Sequence, residues 1–257
     1  MINILIMKNQ VTFFKSAVTL GIGLLFLCFI IPQKKMVIYM IGDSTMANKL
    51  PKAFPETGWG MQLGQFFNSS IVIDNRALNG RSTLSFISEG RWKSVVDNLK
   101  EGDYVLIEFG HNDEKIDKVG VGTSLEQYQM NLVKFVTETR DKKAIPILLT
   151  PTTRRSFRNG VFYETHGGYP EVVRRLADSL KVPLIDMQRK SEKLIVGLGD
   201  EASKKLYNYV EIGNANYPQG KKDDTHFSPE GAKQMAAFAV EGIKELKLDL
   251  AKQLLSQ

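Results

Sequence analysis

Between residues 36 and 41 the chain runs Met36-Val37-Ile38-Tyr39-Met40-Ile41 with no polar alternation. Such a run predicts a strand buried on both faces, as in a parallel sheet covered by helices, rather than a half-solvated strand. The pattern returns at 71–75, 104–109, 145–149 and 182–186. Pro146 lies near the start of the fourth run, where its missing N–H is tolerated. Between these runs the apolar period lengthens. Residues 61–67 predict a helix despite Gly64, and 95–100 close a helix that ends at Gly102. Ser124 is a suitable N-cap for a helix whose Tyr128, Leu132, Phe135 and Val136 share one face. Residues 171–180 are helical, and 188–206 carry weaker helical patterns. In the last helix Ser228 is the N-cap, Pro229 fits the first helical position, and Ala232, Met235, Ala236, Ala239 and Ile243 recur at helical spacing. Strands alternating with helices predict an α/β fold with right-handed crossovers and helices on both faces of the sheet.

The 257 residues are 43% hydrophobic and 24% charged, without a composition break, which predicts one folded domain spanning residues 33–257. Residues 1–32 differ. Their only charges are Lys8 and Lys15, ahead of an apolar run at 17–31 that ends at Pro32. This is the pattern of a signal peptide or retained N-terminal anchor, and it predicts an exported protein, periplasmic, extracellular or attached to the cell envelope. Residues 25–28 match a bacterial lipoprotein signal only loosely, because Leu27 stands where a small residue is expected. Cys28 is the sole cysteine, so an exported chain of this kind relies on its core rather than on disulfides. The net charge is +6, and removing the two N-terminal lysines leaves +4. That modest excess excludes the concentrated basic stripe of a nucleic-acid binder. It suits an acidic polymer, and the long loop at 150–169 gathers Arg154, Arg155, Arg158 and His166 as candidate substrate contacts. Contact with a membrane is expected only through the N-terminal segment.

The candidate chemistry sits where strands end. Gly42-Asp43-Ser44 follows the first strand, at the edge of an open α/β sheet where working groups collect, and Ser44 is the candidate nucleophile. A lone Gly-Asp-Ser is also an ordinary turn, so the rest of the chain has to supply a base. Asp223-Asp224-Thr225-His226, just before the last helix, offers an imidazole and a carboxylate to orient it. Asp223, three residues back, is better spaced for this than Asp224. An oxyanion would be held by the backbone N–H groups of Ser44 and Gly80 and by the side-chain amide of Asn112, from the ends of three strands. Gly80 suits close backbone approach. Asp43 braces the nucleophile turn, His111 holds the Asn112 loop through hydrogen bonds, and Trp59 belongs to the core. No spacing of His, Cys, Asp and Glu suggests a metal, and no glycine pattern suggests a phosphate cofactor.

Taken in order, Gly42-Asp43-Ser44, Gly80, Gly110-His111-Asn112-Asp113 and Asp223-x-x-His226 resemble the four blocks of the SGNH or GDSL hydrolase superfamily. Thr45, the Gly58-Trp59-Gly60 stretch, Phe109-Gly110-His111-Asn112-Asp113 and the run from Asp223 to Pro229 make the chain most similar to its rhamnogalacturonan acetylesterase branch, carbohydrate esterase family 12. The resemblance implies a flavodoxin-like three-layer α/β/α fold with a five-stranded parallel sheet, a Ser-Asp-His triad without cofactor, and deacetylation of an acetylated plant cell-wall polysaccharide. Two other functions compete. One is an acetylxylan or broad short-chain acyl esterase or lipase of the same fold; the other is a carbohydrate-binding protein without activity.

Overall fold

All five apolar runs form strands, and they pair in parallel. The computed structural model describes residues 35–256, so the targeting segment expected at 1–32, with Cys28, lies outside the described residues. The strands are β1 (Met36–Gly42), β2 (Ile71–Asn75), β3 (Tyr104–Glu108), β4 (Ile145–Leu149) and a short β5 (Leu184–Ile185), arranged β2-β1-β3-β4-β5. Met40 pairs with Leu106, and Leu106 with Ile147, so the carboxyl ends of β1, β3 and β4 line up along one edge. Pro146 is accommodated because Leu148 N–H is the first of β4 to reach the β5 side, donating to Pro183 O at 2.9 Å. Pro146 faces that same side two residues earlier, ahead of β5.

Alternate residues of each strand feed two cores. Ile38, Met40, Leu106, Ile147 and Leu149 pack with Leu63 of α1 (Gly60–Leu63), Ile195 of α6 (Met187–Ser203) and the Ala232, Met235, Ala236, Ala239 stripe of α7 (Pro229–Glu245). Tyr39, Ile41, Val105, Ile107 and Leu148 pack on the other face. There they meet Phe86 of α2 (Thr83–Ser88), Trp92 of α3 (Arg91–Val96), Tyr128, Leu132, Phe135 and Val136 of α4 (Leu125–Asp141) and Val172 and Leu176 of α5 (Tyr169–Leu180). This is the expected three-layer α/β/α fold, and burial on both faces explains why the strand sequences do not alternate. The expected caps form: Ser124 Oγ accepts Gln127 N–H at 3.1 Å, and Ser228 Oγ accepts Gly231 N–H at 3.1 Å. Among the described residues no helix is long and apolar enough to cross a membrane.

Two expectations are corrected. The helix placed at 95–100 ends at Val96, and Lys100 N–H turns to the Asp103 carboxylate at 2.9 Å, which also accepts Val37 N–H at 3.1 Å. The loop at 150–169 contains a two-stranded hairpin, Phe157–Arg158 against Val161–Phe162. Asn159 and Gly160 turn it with φ of 51° and 76°, the backbone that an Asn-Gly pair adopts readily.

One short segment fixes the site. Residues 57–60 lie across the sheet edge, with Trp59 N–H donating to Thr45 O at 2.9 Å, Gly60 N–H to Met46 O at 3.2 Å and Thr57 N–H to Phe227 O at 2.9 Å. Gly58 allows this approach, since a Cβ there would lie 1.9 Å from the Ala47 carbonyl oxygen. Gly58→Ala should therefore cost about 1–3 kcal/mol or more through overpacking against backbone. Urea midpoints test this, and an unchanged midpoint would mean that the segment is not pinned.

Candidate active site

The turn after β1 presents Ser44 because Asp43 braces it from inside. Asp43 is fully buried, and its Oδ1 accepts the Thr45 N–H at 3.0 Å and the Thr45 hydroxyl at 2.9 Å. Burial alone would raise its pKa, but His111 beside it and the Thr45 donors outweigh burial and hold it at about 2. At the other end of the chain, Asp223 Oδ1 accepts the N–H groups of Thr225 at 2.9 Å and His226 at 3.0 Å. That tight turn brings Asp223 Oδ2 to 2.9 Å from His226 Nδ1, while His226 Nε2 lies 2.9 Å from Ser44 Oγ. A carboxylate only accepts, so Nδ1 carries the proton, which leaves Nε2 free to take the serine proton. Despite burial, the His226 ring and the two backbone donors keep Asp223 below the usual carboxylate range. It therefore stays ionised.

Asp224 is engaged elsewhere, with Arg155 at 2.5 Å and the Tyr209 hydroxyl at 2.7 Å. The backbone of His226 is held as well, its carbonyl accepting Asn208 N–H at 2.8 Å.

The two other loops are joined to each other. Asn112 Nδ2 donates to Arg81 O at 3.1 Å, and Asp113 accepts Thr83 N–H at 3.0 Å, at the start of α2. The Gly80 and Asn112 loops are thus fixed as a unit. Gly80 has φ of 77° with nothing within 4 Å of a notional Cβ, so its glycine serves the left-handed turn rather than a crowded approach within the protein. Among the described residues, the Ser44 and Gly80 backbone N–H groups have no protein acceptor. Unpaired backbone N–H groups and a side-chain amide are the kinds of donor that an oxyanion site uses.

Several expectations need correction. His111 does not hold its loop by ring hydrogen bonds. Its Nδ1 lies 3.4 Å from Asp43 Oδ2, its ring meets His166 edge-on at 4.6 Å, and burial pushes its pKa down to about 3 against the pull of Asp43. His166 is not a surface contact: its side chain is fully buried, with Nδ1 2.6 Å from Glu164 Oε1. Nor do the three arginines form one patch. Arg155 is 6% exposed and is paired with both Asp200 and Asp224, so it buttresses the Asp223–His226 loop from behind. Arg154 pairs with Glu114 at 2.5 Å and with the Thr165 hydroxyl at 3.0 Å. Arg158 sits on the exposed hairpin over the Tyr163 ring.

Other residues were not foreseen. Glu56 places a carboxylate oxygen beside Asp223 and His226, one ligand atom from each lying within 4.8 Å of the others. Sequence spacing could not disclose this set. Lys49 already pairs with Glu56 at 2.7 Å, and Lys221 lies 3.4 Å from Asp223. Glu108, the one acid of an otherwise apolar strand, was the available signal for the second omission. It is fully buried and accepts Trp59 Nε1–H at 2.6 Å and Thr152 N–H at 3.0 Å. Trp59, fully buried, is a core residue as expected.

A serine, an imidazole and an ionised carboxylate aligned at the carboxyl edge of a parallel sheet have the geometry of a serine hydrolase. The chain belongs to the GDSL-like lipase/acylhydrolase family, which it matches over residues 40–234, and it is an esterase of that family. It is 38% identical over 227 residues to rhamnogalacturonan acetylesterase RhgT of Bacillus subtilis (strain 168), a match covering 88% of this chain and 97% of the relative. It is 27% identical to the rhamnogalacturonan acetylesterase of Emericella nidulans, covering 77% and 81%. The fold is shared with Bacillus subtilis YxiM, with a TM-score of 0.70 and 24% identity over 84% of this chain and 58% of that one. A catalytic mutant of Axe2, an acetylxylan esterase from Geobacillus stearothermophilus, also shares it, with a TM-score of 0.56 and 18% identity, covering 86% and 97%.

Burial pushes the Glu108 pKa up from 4.5 to about 8; the Asp43 charge adds to this, while Trp59 and Thr152 oppose it. Between those two pH values the folded state keeps a proton that the unfolded chain releases. The stability Glu108 contributes is therefore complete below about pH 4.5 and lost as pH rises through 8. Glu108→Gln should flatten the decline in melting temperature across that window, and parallel melting profiles for the two proteins would refute the assignment.

Proposed function

We propose that this esterase removes O-acetyl groups from rhamnogalacturonan or a related pectic polysaccharide, with Ser44, His226 and Asp223 as its triad. The observation that carries the substrate is the near full-length 38% identity to RhgT, supported by 34% identity over 221 residues to the probable rhamnogalacturonan acetylesterase YesY, also of Bacillus subtilis (strain 168). Resemblance to acetylxylan esterase lies at the level of fold alone and so does not favour xylan.

The reaction follows from the geometry. Ser44 Oγ bonds to the acetyl carbonyl carbon as its proton passes to His226 Nε2, and Asp223 stabilises the imidazolium. The negative oxygen of the tetrahedral intermediate takes hydrogen bonds from Ser44 N–H, Gly80 N–H and the Asn112 amide. As the bond to the sugar oxygen breaks, His226 returns its proton to that oxygen. Water, deprotonated by the same imidazole, then attacks the acetyl-serine carbonyl; the bond to Ser44 Oγ breaks, that oxygen takes the proton back from His226, and acetate leaves. The Lys8 and Lys15 charges ahead of the apolar run at 17–31 support an exported enzyme, in keeping with a polymeric substrate.

Acetate release from acetylated rhamnogalacturonan, acetylated xylan and short aryl esters tests the substrate. The expected order is rhamnogalacturonan first, and equal or faster release from xylan would overturn it. Ser44→Ala should lower acetate release by about 10⁴-fold or more while the protein stays folded. Activity close to wild type would remove Ser44 from the mechanism.

A further inference from the structure

The turn that carries Asn112 brings a cation onto Asn112 itself. Lys115 N–H donates to Asn112 O at 3.2 Å, so the backbone folds Lys115 back over the residue three places before it. Its side chain then reaches the Asn112 amide, Nζ lying 2.8 Å from Oδ1. On the far side of the same amide, Nδ2 donates to Arg81 O.

These two partners settle which way the amide faces. An ammonium only donates and a peptide carbonyl only accepts, so Oδ1 must face Lys115 and Nδ2 must face Arg81. Nδ2 has two hydrogens. Arg81 takes one, and the other remains for a ligand beside the Gly80 loop. Asn112 is 3% exposed, so a flipped amide would set its oxygen against the Arg81 carbonyl with little water to relieve the clash. A positive charge on the amide oxygen also draws electron density from the nitrogen, which makes its N–H a stronger donor toward a developing negative charge.

We propose that Lys115 is a positioning residue of the oxyanion site, fixing the orientation of the Asn112 amide and polarising it toward the transition state. This rests on the reading of Asn112 as an oxyanion donor. It does not depend on the polysaccharide, because any acyl ester passes through the same intermediate. Lys115 acts through Asn112 and touches no reacting atom, so its effect belongs to kcat rather than to KM.

Lys115 is exposed, and its replacement removes no buried packing. With p-nitrophenyl acetate as substrate, Lys115→Met should lower kcat about tenfold with KM within about twofold, a fraction of the 10²–10³ that loss of a whole oxyanion donor costs. Lys115→Arg, which still brings a cationic donor to Oδ1, should recover most of the loss. The decisive measurement is the double-mutant cycle with Asn112→Ala. If Lys115 works through the amide, Lys115→Met has no further effect once the amide is gone. An equal loss from Lys115→Met in both backgrounds would overturn the proposal, as would unchanged kcat in the single variant. Wild-type kcat in Asn112→Ala alone would instead overturn the oxyanion reading on which it stands.

Discussion

A serine and a histidine 182 positions apart lie 2.9 Å from each other because residues 57–60 are hydrogen-bonded to the loops of both. Trp59 N–H holds Thr45, next to Ser44, and Thr57 N–H holds Phe227, next to His226. These are backbone bonds between immediate chain neighbours of the two reacting groups, so they set positions with little side-chain freedom in between. Displacement by about 1 Å can cost two orders of magnitude in rate. Proton transfer therefore depends on this segment as much as on the triad. Gly58 permits the contact, and Trp59 anchors it below through Glu108.

Beneath that segment, two buried carboxyl groups are driven apart by their surroundings. Asp43 has the Thr45 amide and hydroxyl on one oxygen and the His111 ring near the other, and it remains charged. Glu108 has one donor on each oxygen and feels the Asp43 charge, so it keeps its proton at neutral pH. Two fully buried anions in mutual reach would each face both desolvation and repulsion, and the arrangement avoids that by neutralising one of them. The surviving charge sits directly under the nucleophile turn, where it fixes Thr45 and so the backbone on which the Ser44 N–H is mounted.

The layers of the fold were legible because they follow from a local rule: unbroken apolar runs at 36–41 and 104–109 have to be covered on both faces, and the intervening helical periods supply the cover. Ser44, Asp223 and His226 were legible because each sits at a punctuation point, a strand end or a cap, where chemistry-bearing residues are conspicuous. What failed depended on partners distant in sequence. Lys100 leaves the helical path for the Asp103 carboxylate. Glu56 meets Asp223 and His226 only after the chain has folded, and no spacing rule links them. His166 reads as a loop residue, yet its ring is buried against His111 because the loop at 150–169 folds back over the sheet edge. The hairpin in that loop did carry a local signal in Asn159-Gly160, masked by the polar residues around it.

The arginines of that loop illustrate how charge read from sequence differs from charge available at a surface. Counted along the chain, Arg154 and Arg155 are two free cations facing an acidic polymer. In the folded protein their charges are met by Glu114, Asp200 and Asp224, and Arg155 is nearly inaccessible. Guanidinium groups suit this work, since a rigid planar fork can join two carboxylates at once. Here the fork ties Asp224, adjacent to the triad acid, to the body of the protein. Two other cations sit on loops that carry residues of the candidate site: Lys221, half-exposed beside Asp223, and Lys115, at the Asn112 amide. An acidic chain laid across the site would therefore meet positive charge at both loops.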